Sequence, residues 1–416
     1  MKLLTFSLLS LVLLVPLRAE DELPAGLVHE EAFEQMELLA EVLLQVRKHY
    51  VEELSYEDLL RGAIRGMLSE LDPHSAFLDQ EEYQNLVEET SGAYGGIGIQ
   101  IGIRENTLTV ISPIEGTPAF RAGVQSGDRI MSIDGESTSG ISLREAVKAL
   151  RGEKGTSVRI TVIGRDATEE EEIEIVRDRI EVASVKGSRM LGDAVGYIRI
   201  TQFDALTTST FLDALEALDE KGMKALILDL RGNPGGLLQQ AIQTAGYFLE
   251  EGLTIVSTRG REDANRNLVF DADGGIFTDI PLVVLVNGGS ASGSEIVAGA
   301  IQDHGRGIVI GEKTYGKASV QTVLRMGDDD SAAIRLTTAQ YLTPGDRKIQ
   351  DLGITPDIEI PLEREEWRRI QVRRSHIESP DQYPDDIVEE YSDVVDKQLQ
   401  RAQDLLEGLL IFQKKP

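Results

Sequence analysis

The chain has 416 residues, 41% of them hydrophobic, and a formal net charge of −29. This length is typical of two or three domains, and the hydrophobic content supports a large core, which argues against global disorder. The acidic balance argues against a nucleic-acid partner, because neutralising phosphates takes clustered Lys and Arg. The sequence contains no cysteine, which excludes disulfides, thiol catalysis and zinc–thiolate sites.

The N-terminus carries the pattern of an export signal. Lys2 precedes an apolar run over residues 3–17, and Arg18 follows it. A basic start and a short hydrophobic stretch predict a secretory signal peptide over residues 1–19, cleaved after Ala19 and leading to the periplasm. An uncleaved anchor is the alternative, although the run is short for a membrane span.

Residues 27–90 are predicted to form a helical region. Apolar residues at steps of three and four indicate an amphipathic helix over 33–50, either packed in the core or forming a dimer seam. They are Met36, Leu39, Leu43, Val46 and Tyr50. Ser55 with Asp58 predicts the start of a second helix through Leu68, which ends before Asp72-Pro73.

Residues 91–176 predict a small, strand-rich domain. A glycine-rich break at 92–98 is followed by alternating isoleucines over 99–103 that predict a strand, with a hairpin at Asn106. A Ser-x-x-Glu capping pattern starts a short helix over 143–150, and alternation resumes at 158–162. The acidic run at 169–172 indicates a solvated loop or edge.

Residues 177–362 predict an α/β core. Apolar strands over 197–203, 225–230, 282–286 and 307–311 alternate with helices, which is typical of a buried sheet. Glycine-rich turns at 231–236 and 287–290 follow two of these strands.

Residues 363–416 are more polar and end in a predicted helix. Its apolar face comprises Tyr391, Val395, Leu399, Ala402, Leu406 and Leu409. We interpret this region as an oligomerisation contact rather than part of the enzyme.

Ser292 stands between a predicted buried strand and a predicted helix. A serine there points its hydroxyl at free backbone N–H groups and the positive end of the helix dipole, which can hold a developing oxyanion. Gly293 would supply the first donor, and Gly235 or Gly236 the second. The alternative is that Ser290 and Ser292 only cap the helix.

The sequence offers few bases for Ser292. His304 lies on the same predicted helix, about 18 Å away at ~1.5 Å rise per residue, and cannot reach it. The remaining histidines lie outside the α/β core, at positions 29, 49, 74 and 376. A Ser–His–Asp triad is therefore poorly supported, and a Ser–Lys pair is the remaining option.

Lys317 follows the predicted strand over 307–311, which could bring it beside Ser292. To act as a base near neutral pH its pKa must fall from ~10.4 to about 7–8, which burial can achieve. Gln321 could orient the amine through its side-chain carbonyl if this stretch makes a helical turn. The alternative is an ordinary surface lysine.

Seven motifs occur in a characteristic order. They are DPHS (72–75), GGIGI (95–99), SP, GTPA, AGV and GDRI within 112–130, LDLRGNPGG (228–236), GSASGSEI (289–296), GK with a following Gln (316–321), and LTTA through ITPD (336–357). Each motif alone is weak, but the ordered set is specific. Nearly the whole mature chain resembles the bacterial C-terminal processing peptidases, also called tail-specific proteases.

The resemblance implies a crotonase/Clp-protease-like α/β core with an inserted PDZ domain and helical N- and C-terminal extensions. It implies a periplasmic serine endopeptidase with Ser292 as nucleophile, Lys317 as general base and Gln321 as the orienting residue. No metal or other cofactor is implied. Gly293 is a departure, because relatives often carry Ala there, but its N–H is unchanged.

The resemblance also implies binding of protein substrates with apolar C-terminal tails. Exposed N–H groups would hold the terminal carboxylate, an edge strand would pair with the tail, and a helix would close an apolar pocket. The residues concerned are Gly96, Ile97, Gly98, Ile99, Leu143 and Val147. An activating adaptor protein and a homo-oligomer are further expectations.

Three other classes compete with this interpretation. A chymotrypsin-like periplasmic protease with a PDZ domain would need a serine where Pro234 stands, and a double β-barrel where helices are predicted. A non-catalytic PDZ scaffold would leave Ser292, Lys317 and Gln321 without a role. A metal-dependent hydrolase has only the acidic run at 328–330, without a histidine partner.

Overall fold

The computed structural model describes residues 12–13, 30–104, 107–114, 117–125, 127–164, 168–181, 183–261, 267–326, 332–378 and 389–413. Apart from strand β1 (Val12–Leu13), the predicted signal peptide lies outside these residues, as do Asn106 and the acidic run at 328–330. Within the described ranges, every helix is too short or too polar to cross a bilayer.

The two predicted N-terminal helices are confirmed as α1 (Glu30–His49) and α2 (Tyr56–Ser69). Ser55 caps α2 by accepting the N–H of Asp58 at 3.0 Å. The apolar stripe of α1 is not packed in a core, since Met36 is 53% exposed and Leu39 44%. Strand β2 (Ala76–Asp79) and helix α3 (Gln80–Ser91) follow and were not predicted.

The predicted strand-rich domain is a six-stranded antiparallel sheet with one capped helix. The glycine-rich break is partly a strand, because β3 pairs with β10 beside this sheet. The sheet order is β4-β5-β6-β8-β9, with β7 against β6, and the acidic run leads into the edge strand β9. The elements are β3 (Ala93–Gly96), β4 (Ile99–Arg104), β5 (Thr107–Pro113), α4 (Pro118–Arg121), β6 (Arg129–Ile133), β7 (Glu136–Ser137), α5 (Leu143–Leu150), β8 (Ser157–Ile163), β9 (Glu171–Val176) and β10 (Asp178–Glu181).

The predicted α/β core is a six-stranded sheet in the order β11-β12-β13-β16-β17-β20, parallel except for β11. Its first elements are β11 (Val185–Leu191), β12 (Val195–Ile200), α6 (Thr207–Glu220), β13 (Ala225–Asp229) and α7 (Leu238–Gly246). It continues with β16 (Leu282–Val286), α8 (Gly293–Asp303), β17 (Ile308–Gly311) and β20 (Ile358–Glu359). The strand predicted over 197–203 ends at Ile200.

A second sheet, which the sequence did not predict, packs beside the first. It consists of β14 (Thr254–Gly260), β15 (Val269–Asp271), β18 (Ser319–Met326) and β19 (Ala332–Leu342) in the order β18-β19-β14-β15, with β2 also on β19. Strand β1 lies parallel on the outer edge of β18, with Val12 opposite Gln321. The edge of β18 thus accepts an extended apolar segment.

The C-terminal region contains α9 (Arg364–Glu378) and α10 (Lys397–Gln413). Tyr391 and Val395, assigned to the final helix from the sequence, precede it. Ala402 and Leu406 are fully buried against the outer face of the core sheet, in one cluster with Ile227. The expectation that this helix is not part of the enzyme is therefore wrong, because α10 forms one layer of the core.

Candidate active site

Ser292 lies at the junction of β16 and α8, where the buried strand runs directly into a helix. Its backbone has φ 55° and ψ −111°, a combination that non-glycine residues rarely adopt and that costs of order 1–3 kcal/mol. Gly235 fits against this junction because it has no side chain. A Cβ there would lie 2.7 Å from the Cβ of Ser292 and 2.9 Å from the nitrogen of Gly293.

The helix-capping interpretation of the serines is wrong for their hydroxyls. The Ser290 hydroxyl accepts the N–H of Asn287 at 3.0 Å and donates to the carbonyl of Leu230 at 2.8 Å, which ties two turns together. The Ser292 side chain is fully buried, and its Oγ has no hydrogen-bond partner among the described residues. A buried hydroxyl without a structural partner is available for chemistry.

Lys317 is not a surface lysine. It is fully buried, and within the described chain its Nζ has no hydrogen-bond partner. Burial, and then the positive charge of Arg335, lower the pKa of Lys317 to about 8, while Glu295 and Asp72 act in the opposite direction. A substantial fraction of this amine is therefore neutral just above neutral pH.

Glu295 connects the two candidate catalytic residues. Its Oε2 accepts the backbone N–H of Ser292 at 2.8 Å and of Lys317 at 2.9 Å, so the two nitrogens lie within the sum of those distances. Its Oε1 accepts from the Thr314 hydroxyl at 2.6 Å and the Gly316 N–H at 2.7 Å. Burial raises the pKa of Glu295, although these four donors favour the carboxylate.

Tyr341 connects the same two residues from β19. Its single hydroxyl proton is shared between the carbonyl of Ser292, at 3.0 Å, and the carbonyl of Lys317. Sequence reasoning missed both Glu295 and Tyr341. The Ser-x-x-Glu spacing at 292–295 was a signal for Glu295, since it matches a capping box.

Gln321 is fully buried on β18, but not in the conformation expected. The stretch from Lys317 makes no helical turn, because β18 begins at Ser319 and its register shifts between Val320 and Gln321. Such an irregularity can re-aim a side chain. The Gln321 Nε2 donates to the Thr337 hydroxyl at 3.3 Å, and its Oε1 has no partner in the described ranges.

The three predicted oxyanion glycines differ in how their N–H groups are used. Gly235 donates to the side-chain oxygen of Asn233 at 2.8 Å, so its N–H is engaged. Among the described residues, Gly293 and Gly236 donate to no protein acceptor. Gly236 has φ 146° and packs against the backbone of Phe203, where a Cβ would lie 2.1 Å from the carbonyl oxygen.

One histidine lies closer to the site than expected. His74 belongs to a turn that packs on β19, where its carbonyl accepts from Arg335 Nε at 3.0 Å. Burial, and then the charge of Lys317, lower the pKa of His74. His304, in contrast, ends α8 and contacts the carbonyl of Thr254 at 2.7 Å. This agrees with the prediction that His304 cannot reach Ser292.

The turn after β13 is anchored by buried charges. Arg231 is 1% exposed and pairs with Asp229 at 2.7 Å and with Asp396 at 2.8 Å. Asp396 also accepts the N–H of Leu399, which fixes the start of α10. The C-terminal helix is therefore bonded to the turn that carries the candidate oxyanion glycines.

The residues predicted to bind a peptide tail meet in one groove. It has a volume of about 410 Å³ and lies between β4 and α5. All six predicted residues line it, namely Gly96, Ile97, Gly98, Ile99, Leu143 and Val147. Tyr94, Ile101, Leu150 and Arg151 complete the lining.

Three family models match the chain. Peptidase family S41 matches residues 194–360, a PDZ domain matches residues 109–164, and the N-terminal domain of the activating protease CtpB matches residues 19–82. The carboxy-terminal-processing protease of Bartonella bacilliformis is 45% identical over 334 residues, which cover 79% of this chain and 76% of that protein. The chain belongs to peptidase family S41.

Other relatives carry the same description. The carboxyl-terminal-processing protease of a Synechocystis species is 41% identical, over a region that covers 76% of this chain and 75% of that protein. A putative S41 protease from Bacteroides fragilis, with 15% identity and a TM-score of 0.51, shares the fold over 89% of this chain and 97% of its own. The S41 protein described here is thus a serine-type, C-terminal-processing peptidase with a PDZ domain and a mixed α/β fold.

Proposed function

We propose that this S41 protease is a periplasmic endopeptidase that selects substrates by their C-terminal tails and cleaves them with a Ser292–Lys317 dyad. One observation carries the proposal. The Oγ of Ser292 and the Nζ of Lys317 are both buried without partners, on backbones joined through Glu295. Two buried polar atoms left unpaired in one site are costly for stability, which is typical of groups kept for catalysis.

The proposed chemistry has two stages, acylation and deacylation, and in each stage Lys317 takes up one proton and then gives it away. The neutral Nζ of Lys317 takes the proton of the Ser292 hydroxyl as Oγ attacks the scissile carbonyl carbon. The resulting ammonium returns that proton to the leaving amine when the peptide C–N bond breaks, which leaves an acyl ester on Ser292. Water, deprotonated by the same amine, then attacks the ester. The amine passes the proton from water to the Ser292 oxygen as the ester C–O bond breaks and the carboxylic acid product leaves.

The proposed oxyanion site uses Gly293 and Gly236. Both N–H groups are uncommitted among the described residues, whereas that of Gly235 is engaged by Asn233. The Gly293 N–H begins α8, so the helix dipole favours negative charge at this point. Gly235 would then have a steric role, because its lack of a side chain allows the two turns to approach each other.

Tail recognition is proposed for the groove between β4 and α5. Its lining combines backbone N–H groups of a glycine-rich segment with the apolar Leu143 and Val147, a combination that suits a terminal carboxylate and an apolar side chain. The edge of β18 supports a second binding site, for the segment to be cleaved, because the extended apolar strand β1 lies beside Gln321. A substrate could thus be held at both sites.

The test uses a reporter protein with an unstructured apolar C-terminal tail and a second reporter whose tail ends in two aspartates. The wild-type enzyme should cleave the first reporter faster. Ser292→Ala and Lys317→Ala should each abolish cleavage while thermal unfolding stays cooperative. Cleavage retained by either variant would contradict the dyad, and equal rates for the two reporters would contradict tail recognition.

Export is proposed from the N-terminal sequence, with its basic start and apolar run over residues 3–17. The mature protein isolated from its host should begin after Ala19, by N-terminal sequencing, and fractionate with the periplasm. A full-length N-terminus in the cytosolic fraction would contradict export.

A homo-oligomer is proposed through the N-terminal helices. Helix α1 exposes a row of large apolar side chains that the other described residues leave uncovered: Phe33, Met36, Leu38, Leu39, Val42 and Leu44 are 44–61% exposed. A second copy of the same helix offers a matching apolar face. Met36→Glu with Leu39→Glu should lower the mass measured by light scattering, and an unchanged mass would contradict this interface. An activating adaptor protein stays a prediction.

A further inference from the structure

The turn at residues 72–75 contacts the strand beside the candidate base. The Asp72 carboxylate accepts the N–H groups of His74 and Ser75 at 2.7 and 2.9 Å and the Ser75 hydroxyl at 2.7 Å. The Ser75 hydroxyl in turn accepts the N–H of Thr337 at 3.1 Å. Arg335 on β19 donates to the carbonyl of His74. The turn is therefore docked on β19 opposite Gln321.

Thr337 lies between this turn and Gln321. Its hydroxyl accepts the Nε2–H of Gln321 at 3.3 Å, and it lies close enough to the Asp72 carboxylate to help lower the pKa of Asp72. A carboxylate can only accept, and a hydroxyl has one proton. A Thr337 proton directed at the nearby carboxylate leaves the hydroxyl oxygen to accept from Gln321, which agrees with the NH₂ end of the amide facing Thr337.

This direction decides which end of the Gln321 amide is free. With the NH₂ end held by Thr337, the carbonyl Oε1 is left as a buried acceptor without a partner among the described residues, as is the Nζ donor of Lys317. Asp72 lies close enough for its charge to act on Lys317. Gln321 and Lys317 are thus both fully buried, near a turn in which Asp72 is half-buried and Ser75 is buried.

We propose that Thr337, held by Asp72, is a positioning residue that fixes the direction of the Gln321 amide so that its carbonyl oxygen is offered to the Lys317 amine. The inference rests on the proposed Ser–Lys dyad. A carbonyl that accepts one N–H of the amine aims the nitrogen lone pair elsewhere, toward Ser292. A reversed amide would donate to that lone pair, which is the electron pair the base needs.

The test compares variants of the full-length protease on one peptide substrate. Thr337→Val keeps the β-branched shape but removes the hydroxyl, and we expect kcat to fall by about 10- to 100-fold with KM changed less than about twofold. Thr337→Ser should restore kcat. Asp72→Asn should also lower kcat. Its NH₂ group can donate to the Thr337 hydroxyl, which would then donate to Gln321 and turn the amide around.

Thr338→Val is the matched control. The Thr338 hydroxyl pairs with the Thr322 hydroxyl at 2.7 Å, so this variant removes a similar cross-strand bond of the same sheet, away from Gln321. Thr338→Val should keep the wild-type kcat and change thermal stability about as much as Thr337→Val does. A wild-type kcat in Thr337→Val, an equal loss in both valine variants, or a change confined to KM would overturn the inference.

Failure of the inference is distinguishable from failure of the dyad. If Lys317→Ala keeps activity, the dyad is wrong and the inference falls with it. If Lys317→Ala is inactive while Thr337→Val is fully active, only the positioning role is wrong. Should Thr337→Val fail to fold, Thr337→Ser against Asp72→Asn decides the question: kcat must be kept by the first and lost by the second.

Discussion

Ser292 and Lys317 donate their backbone N–H groups to one oxygen of Glu295, at 2.8 and 2.9 Å. The proposed nucleophile comes from the start of α8 and the proposed base from the segment before β18, so they belong to different elements of the chain. A single buried carboxylate therefore sets the spacing of the two backbones. Tyr341 adds a second connection through the carbonyls of the same two residues.

Glu295→Gln should lower both activity and stability. The amide keeps one acceptor oxygen, but its NH₂ group faces two of the four donors that the carboxylate now receives. Leaving buried donors unpaired costs about 1–3 kcal/mol each, so we expect the free energy of unfolding to fall by a few kcal/mol. Thr314→Val removes one donor to the carboxylate and leaves one buried N–H, that of Ile354, without its acceptor, so it should be milder in urea unfolding and in kcat. Equal effects would contradict a central role for Glu295.

The pH dependence of activity should follow Lys317. Because the base must be neutral, kcat/KM should rise with pH through an acid limb at about 8, the pKa of Lys317. Arg335 lowers that pKa by its charge, so Arg335→Met should move the limb to higher pH. Arg325→Met removes an exposed charge near the end of β18 and should leave the midpoint unchanged. An acid limb near pH 6 would point to a histidine base instead.

Lys317→Met should stabilise the inactive enzyme. The folded pKa of about 8 lies below the ordinary value of 10.5, so the unfolded chain binds the extra proton and stability rises with pH between these values. Below pH 8 the folded state carries the whole free-energy cost of burying the protonated amine, up to about 3 kcal/mol at 1.36 kcal/mol per pKa unit. At pH 7 the variant should unfold at higher urea, with a flatter pH dependence from 8 to 10.5. Unchanged stability would mean that the amine is solvated.

The sequence predicted those parts of the fold that local patterns encode. The capping pair Ser142 and Glu145 and the apolar run of β16 gave helix and strand bounds that the structure confirms. The second sheet was not predicted, because β2 and β14 pair with β19 across long stretches of the chain. The helical turn expected before Gln321 failed for the same reason, since tertiary pairing overrides local spacing.

The candidate site shows the same division. Ser292 and Lys317 were found through motifs, and the structure adds that both are buried and unpaired. Tyr341 and Thr337 could not be found, since each acts through a contact made across strands. Separating the final helix from the enzyme was wrong, because an apolar face fits an oligomer seam and a core layer equally well; an oligomer contact for this region stays a prediction.

Substitutions in the groove between β4 and α5 should affect the selection of tails and not the chemistry. Val147→Asp places a charge in the apolar part of the groove, and we expect KM for an apolar-tailed reporter to rise by about 10-fold or more. Val176→Asp, at a 56%-exposed position on β9 of the same domain, is the control and should keep the wild-type KM. Cleavage of a short tail-less peptide should be equal in both variants. A lowered kcat on that peptide would show that the groove acts beyond binding.

Helix α10 should behave as a core element in unfolding experiments. Leu406 is fully buried against the outer face of the core sheet, so Leu406→Ala should lower the free energy of unfolding by about 2–5 kcal/mol. Leu409, on the same helix but 40% exposed, offers the matched control, and Leu409→Ala should change stability little. Because Asp396 joins the start of this helix to Arg231, Leu406→Ala should also lower kcat as the oxyanion turn loosens. If α10 were only an oligomer arm, Leu406→Ala would instead change the mass in light scattering and leave the unfolding of the monomer unaffected.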